Sequence, residues 1–447
     1  MAAFPGEVHE LEFNRTGELV DRAQLDAILN SVKSNSPTDV LVMSHGWNND
    51  MAQARSLYSS LRGTLAAQLP RFPRLAARRF MSVDLFWPSK KFADKQLIPG
   101  GAAAAGALVN DVITEQLETL KDLLEDEANP DDFKRAQSLV PLLQEGNNRA
   151  QAEFAAIVLK YLSQEANEEG DLQNVESMST GMFGARPLLE VLGMPAPLAP
   201  PAAGRGGAAA IPQEGPAPAS RGGAAGLGDL LSGVKAGAIN LLNFTTYKKM
   251  KERAGDVGQS GVNAALRTLG SSPNPPRLHL IGHSFGGRLV TAAILGPGDK
   301  PAVPVETLTL LQAAYSHYGL AKNYRQTKRP GFFRRIVDEK RVKGPILITH
   351  TRNDTAVGVL YAIASRLARQ VAAALGDEHD QYGGMGGNGA QDTPEAVKAT
   401  LNDPGTPYQL QGGKIYNLRS DKFIANHSDV ANDAVAYAIL SGVDRAQ

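Results

Sequence analysis

The chain reads as an α/β protein with a doubly wound, mainly parallel sheet, helices on both faces, and a large, mostly helical insertion. Three observations carry this. Short apolar runs such as Asp39–Ser44 lack polar alternation, as strands covered on both faces do. Stretches with helical periodicity separate most of these runs, which is the pattern of a parallel sheet wound with crossover helices. Residues 91–245 interrupt the alternation with amphipathic helical patterns alone.

Taken in order, the first strand is Asp39–Ser44, followed by the loop His45–Asp50 and a helix over Met51–Leu69. Phe80–Trp87 is a second strand, closed by Pro88. The next is Leu278–Ile281, which turns into a helix over Gly286–Leu295. Strands follow at Glu306–Gln312, Gly344–His350 and Lys414–Leu418, with helices at Ala356–Leu375 and Asp429–Leu440. These segments divide the chain into a core in two parts, residues 1–90 and 246–447, and an insertion between them. Within the insertion, Val109, Ile113, Leu117, Leu120 and Leu124 form one apolar stripe; Phe154, Ile157, Val158, Tyr161 and Leu162 form another. Residues 195–228 are mostly Pro, Gly and Ala and read as a flexible loop, because they cannot bury enough surface to offset their ordering entropy. A helix resumes at Phe244. Loops at the carboxyl ends of parallel strands face the site, so the insertion reads as a lid, with a helical side appendage as the alternative. Gly383–Gly389 is glycine-rich but lacks the Gly-Lys-Ser/Thr ending of a phosphate loop and reads as a mobile surface loop.

Lys and Arg together number 46, as do Asp and Glu, so the net charge is zero and nothing points to nucleic acid or an anionic membrane as partner. Cysteine is absent, which excludes disulfides, thiolate metal sites and a cysteine nucleophile. The scattered histidines show no metal-ligand spacing, and neither metal nor cofactor is expected. The first residues lack a basic n-region and an apolar h-region, and no run of 18 apolar residues could span a membrane. The expectation is a cytoplasmic protein, with secretion of a processed form left open; the oligomeric state is not legible.

Gly282-His283-Ser284-Phe285-Gly286 lies where a strand meets a helix. A sharp turn there needs glycines two residues either side of the serine, since a Cβ would collide with the crossing strand and helix, and it presents the serine hydroxyl beside the helix N-terminus. Such a nucleophile needs a base, and the base needs an orienting carboxylate. Among the histidines that follow, His427 stands in the loop after the last strand and is the leading base. His317 is its rival and otherwise lines the site. His350 ends a strand, and His379 lies in a charged run. Asp354, after the strand ending at His350, is the leading acid, with Asp421 as runner-up. The backbone N–H groups of Phe285 and of Trp47, beyond the close-approaching Gly46, are candidate oxyanion donors. His45 and His283 are candidate site-lining residues, with His45 more often structural.

Together, Ser44-His-Gly-Trp-Asn-Asn49, Trp87-Pro-Ser89, Gly282-His-Ser-Phe-Gly286, Arg352-Asn-Asp354 and Asn426-His-Ser-Asp-Val430 resemble the α/β-hydrolase superfamily, most closely its esterase and lipase branches. The resemblance covers roughly residues 38–90 and 246–442. It implies Ser284 as nucleophile, Asp354 as acid, His427 as base and Trp47 and Phe285 as oxyanion donors. The expected activity is hydrolysis of small or lipid-like carboxylic esters through an acyl-enzyme. Amide, peptide or polyester hydrolysis and a non-catalytic binding module are the alternatives.

Overall fold

The computed structural model describes residues 4–89, 107–162, 188–193, 233–298, 300–324, 329–354 and 383–446. Residues 195–228, His379 and the helix expected at 356–375 lie outside them. Among the described residues there is one sheet of eight strands, all parallel: β1 (Glu7–Glu12), β2 (Asp39–Ser44), β3 (Phe80–Phe86), β4 (Arg277–His283), β5 (Thr307–Leu311), β6 (Ile346–His350), β7 (Ala396–Thr400) and β8 (Ile415–Arg419). Their order is β1-β3-β2-β4-β5-β6-β8-β7.

The central strands are apolar on both faces, so each face has its own core. Val40, Val42, Met81, Val83, Leu278 and Leu280 point to one, with helix α1 (Arg22–Asn35) against them. Leu41, Met43, Phe80, Phe86 and Ile281 point to the other, with α2 (Met51–Gln68) and the C-terminal helix packed there. The alternation is that of a pleated strand. Asp50 caps α2 in a reciprocal capping box with Gln53, which stops the preceding loop at a defined residue.

Two strands escaped the sequence reading. β1 and β7 are the sheet's edges, and both are partly exposed and carry charge (Glu7, Glu10, Lys398). An edge strand buries too little to need an apolar run, and charge there protects it from pairing with other chains.

The insertion's described helices are α3 (Ala107–Leu124), α4 (Pro130–Leu139), α5 (Asn148–Lys160) and α6 (Leu188–Leu192). α3, α5 and α6 pack on α7 (Val234–Asp256), and α4 packs on α3 and α5; α7 begins ten residues earlier than Phe244, the expected start, and runs unbroken across position 245. Ile113, Leu117, Leu120 and Leu124 are buried, as are Phe154, Val158, Tyr161 and Leu162, with Val109 and Ile157 partly buried beside them. Both stripes are therefore spent on helix packing within a core continuous with the sheet's. Arg253 fastens α7 to this layer by donating to the Leu123 carbonyl. Arg15 ties the layer to the loop after β1 through Glu125 and Asp126.

Past Asp256 the helix loosens into a π-helical segment, Val257–Val262, and continues as α8 (Asn263–Gly270). Glycine is required there by backbone contact. A Cβ on Gly258 would lie 2.1 Å from the Leu289 carbonyl oxygen, and one on Gly261 would lie 1.9 Å from that of Gly17. Helix α9 (Phe285–Leu295) is buried along its whole length beneath this segment. The chain closes with α10 (Arg334–Asp338), the single turn α11 (Met385–Asn388) and α12 (Asp433–Arg445). The last helix starts four residues later than expected, because Asn432, not a residue near Asp429, supplies its N-cap. No helix among the described residues is long and apolar enough to cross a membrane.

Gly383–Gly389 is a correction. It is not a surface loop: it is almost wholly buried against the ends of β5 and β6. The Gly386 N–H donates to the Ala313 carbonyl, and Gln312 donates to the Gly386 carbonyl. A Cβ on Gly386 would lie 2.6 Å from the Gln312 carbonyl carbon, and Gly383 and Gly389 are crowded in the same way, so these three glycines serve close packing.

Candidate active site

β4 ends at His283, and α9 begins at Phe285. Ser284 is the single residue between them, at φ 55° and ψ −122°, a backbone conformation that an L-residue adopts only under strain of about 1–3 kcal/mol. Surrounding bonds enforce it. The Ser284 N–H donates to the Leu311 carbonyl, and the Ser284 carbonyl accepts from Gly287 and Ala314. The flanking glycines are dictated by contact: a Cβ on Gly282 would sit 2.4 Å from the Gly286 carbonyl oxygen, and one on Gly286 would sit 2.3 Å from that of Ser44. Since both obstacles are backbone, Gly286→Ala is expected to destabilise the fold by about 3 kcal/mol. A thermal melt within a degree of the native protein's would contradict this.

Three side chains meet at the carboxyl edge of the sheet. Ser284 Oγ lies 2.8 Å from His427 Nε2, and His427 Nδ1 lies 2.7 Å from Asp354 Oδ2. A carboxylate can only accept, so Nδ1 carries the proton and Nε2 is free to accept from the serine hydroxyl. Asp354 is fully buried, Ser284 is 6% exposed, and the His427 side chain is 19% exposed. Burial disfavours protonated His427, but the Asp354 carboxylate outweighs it and raises the imidazole pKa above its ordinary value.

The loops that bring them together are bolted to each other. Asn353 donates to the carbonyls of Asp421 and Ile424. Asp421 accepts from the Thr351 hydroxyl and the Arg352 N–H. Asp421 therefore braces the turn carrying Asp354 and is not placed against His427. Burial pushes its carboxyl pKa up, and its hydrogen bonds with Arg419, Thr351 and Arg352 bring it below the usual value. His317, the rival base, is fully buried in a different set of bonds: its Nδ1 accepts from Asn388 Nδ2, and its backbone pairs with Gly383 and Gln391. His350 turns its Nδ1 toward the Gly387 carbonyl at 3.4 Å.

The loop after β2 runs against the serine. A Cβ on Gly46 would lie 2.7 Å from Ser284 Cβ and 3.2 Å from its Oγ. Trp47 follows, its ring 5.9 Å from Phe285 and 6.0 Å from Tyr247 of α7. Phe285 is the first residue of α9, so its N–H has no carbonyl within the helix to take it. His45 is buried behind this loop. Its ring stacks on Trp87 at 5.6 Å, its Nδ1–H donates to the Gly46 carbonyl, and burial holds it neutral with a pKa lowered to about 4. Asn49 and Ser89 complete the bracing of this loop. Among the described residues no cluster of His, Asp and Glu could hold a metal ion.

The sequence reading missed what His283 does. Its Nε2–H donates to the His427 carbonyl at 2.9 Å, a contact between residues 144 apart for which no local signal exists. No family model matches this chain, and neither a curated protein nor a solved structure does.

Proposed function

We propose that this protein is a serine hydrolase of carboxylic esters on an α/β-hydrolase type of fold. The observation that carries the reading is the unbroken chain of hydrogen bonds from Ser284 through His427 to Asp354, with the serine on a strained strand-to-helix turn. The strand order supports it too: the serine, acid and histidine follow β4, β6 and β8, of which β6 and β8 are adjacent and β4 is separated from β6 by β5 alone, and all three stand at the carboxyl edge of the sheet.

In this reading Ser284 Oγ attacks the ester carbonyl carbon as His427 Nε2 takes the hydroxyl proton. The C–O bond to the alcohol then breaks, and His427 returns the proton to the departing oxygen. A water molecule, deprotonated by the same nitrogen, attacks the acyl-Ser284 carbonyl; the bond to Oγ then breaks, His427 returns the proton to Oγ, and the acid leaves. Asp354 keeps His427 in the Nδ1–H tautomer and stabilises the imidazolium formed in each half. The oxyanion would be held by the N–H groups of Phe285 and Trp47. The insertion's described helices form a cap on α7, which supplies Tyr247 to the wall next to Phe285.

Gly46→Ala probes the oxyanion side. The added methyl must displace either Ser284 or the Trp47 amide, and a misplaced donor costs about 10²–10³-fold in kcat. Full kcat in this variant would remove Trp47 from that role.

The test of the whole reading is fluorophosphonate labelling with the adduct mapped by peptide mass, alongside hydrolysis of p-nitrophenyl esters from acetate to laurate. A single adduct on Ser284 with measurable turnover is the expected result. Turnover with an adduct elsewhere, or neither turnover nor label, would overturn it.

A further inference from the structure

The reading of Ser284 as nucleophile leaves one titratable side chain beside it without a task. His283 is buried, and its backbone ends β4, so strand alternation sends its ring to the same face as Ile281. There it lines a small cavity together with Met43, Leu311 and Val430. The ring lies 4.9 Å from that of His427 and donates Nε2–H to the His427 carbonyl. Its other nitrogen, Nδ1, faces Gly46: a Cβ on Gly46 would lie 3.2 Å away. That nitrogen is buried with no hydrogen-bond partner. An apolar ring of the same size would fill this space without leaving a bare nitrogen out of water, so packing does not account for an imidazole.

We infer that His283 is a positioning residue for the base: it pins the backbone of His427 to the nucleophile's own strand, so that Nε2 stays within reach of Ser284 Oγ through both proton transfers. The inference rests on the hydrolase reading. The His427 loop needs such a pin because its neighbours Ala425, Asn426 and Ser428 are exposed. Among the described residues, His283 is the residue of β4 that hydrogen-bonds this loop, beside the Asn353 bond to Ile424 and the bonds of the His427 ring. Burial, and the nearby His427, push the His283 pKa down to about 3. The ring is thus neutral whenever His427 can act as base, and it keeps its single proton on Nε2 for the carbonyl.

The test compares the native protein with His283→Phe, which keeps the ring's bulk without a donor, and His283→Gln, whose amide N–H can reach the same carbonyl. The substrate is p-nitrophenyl acetate, with the fluorophosphonate labelling rate and melting temperature measured on the same samples. The expected result is a roughly tenfold loss of kcat in His283→Phe with KM within twofold. The labelling rate should fall in parallel, the melting temperature should stay near native, and His283→Gln should recover most of the kcat. Native kcat in His283→Phe would overturn the inference, as would losses in both variants that track a lowered melting temperature. A native protein with neither turnover nor label would overturn the hydrolase reading itself, and the role of His283 with it.

Discussion

Replacing Ser284 by alanine is expected to lower kcat for p-nitrophenyl butyrate by about 10⁶-fold and to abolish fluorophosphonate labelling. The size of the loss follows from the geometry. Without Oγ, His427 Nε2 has no proton to take, and the Asp354 carboxylate then orients a base with nothing to activate. The residual rate should come from water attack assisted by the oxyanion donors, so adding Asp354→Asn to Ser284→Ala should cost little more. The backbone makes a separate prediction. Alanine at φ 55° keeps the strain that serine bears, whereas glycine adopts this region freely. Ser284→Gly should therefore be as inactive as Ser284→Ala but more stable by about 1 kcal/mol. Equal melting temperatures would show that the turn stores no strain.

Asp354→Asn is expected to lose about 10⁴-fold in kcat while leaving the fold intact. An asparagine can turn its N–H₂ toward His427 Nδ1, which favours the tautomer with the proton on Nε2, and that nitrogen can then no longer accept from Ser284. The pH profile should move as well, and its direction is set by the two opposing influences on His427. Activity requires the neutral imidazole and so falls on the acid side as pH drops through the His427 pKa. In the native protein Asp354 raises that pKa against the effect of burial. With the carboxylate gone, burial alone remains, and the acid limb of kcat/KM should shift to lower pH. An unmoved limb, or one shifted upward, would mean that a different group sets it. Asp421→Asn gives the contrast: Asp421 braces the 351–353 turn from outside, so its loss should weaken Asp354's placement without removing the charge, with a much smaller effect on kcat and no downward shift of the limb.

The central strands and the serine turn were legible because their causes are local. β2 is apolar from Val40 to Met43, and β3 is apolar except at Ser82 and Asp84, since both faces of these strands are covered. Gly282 and Gly286 bracket Ser284 because the turn brings backbone against backbone within a few residues or across one strand, leaving no room for a side chain. Edge strands have no such cover. β1 and β7 pass for loops in the sequence because half of each faces water. Gly383–Gly389 misled for a related reason. Composition suggests mobility, yet Gly386 lies directly on the backbone of Gln312 and Gly383 beside His317, where a side chain has no room.

By itself the sequence determined the α/β class, the strand-to-helix turn at Ser284, and a short set of histidines and aspartates able to serve it. Only the tertiary structure chose among them. His427 and Ser284 are 143 residues apart, and His427 and Asp354 are 73 apart. What decides those meetings is strand order: β4, β6 and β8 end side by side or one strand apart at the same sheet edge, and their loops must share that space. His317 follows β5, which lies closer in the sheet, yet the buried 383–391 segment binds it elsewhere. His283 gained its bond to His427 only because the pleat of β4 sends its ring to the face over which the His427 loop passes. A residue's type and neighbours are written in one dimension, whereas the partner it bonds is fixed by how the sheet is wound.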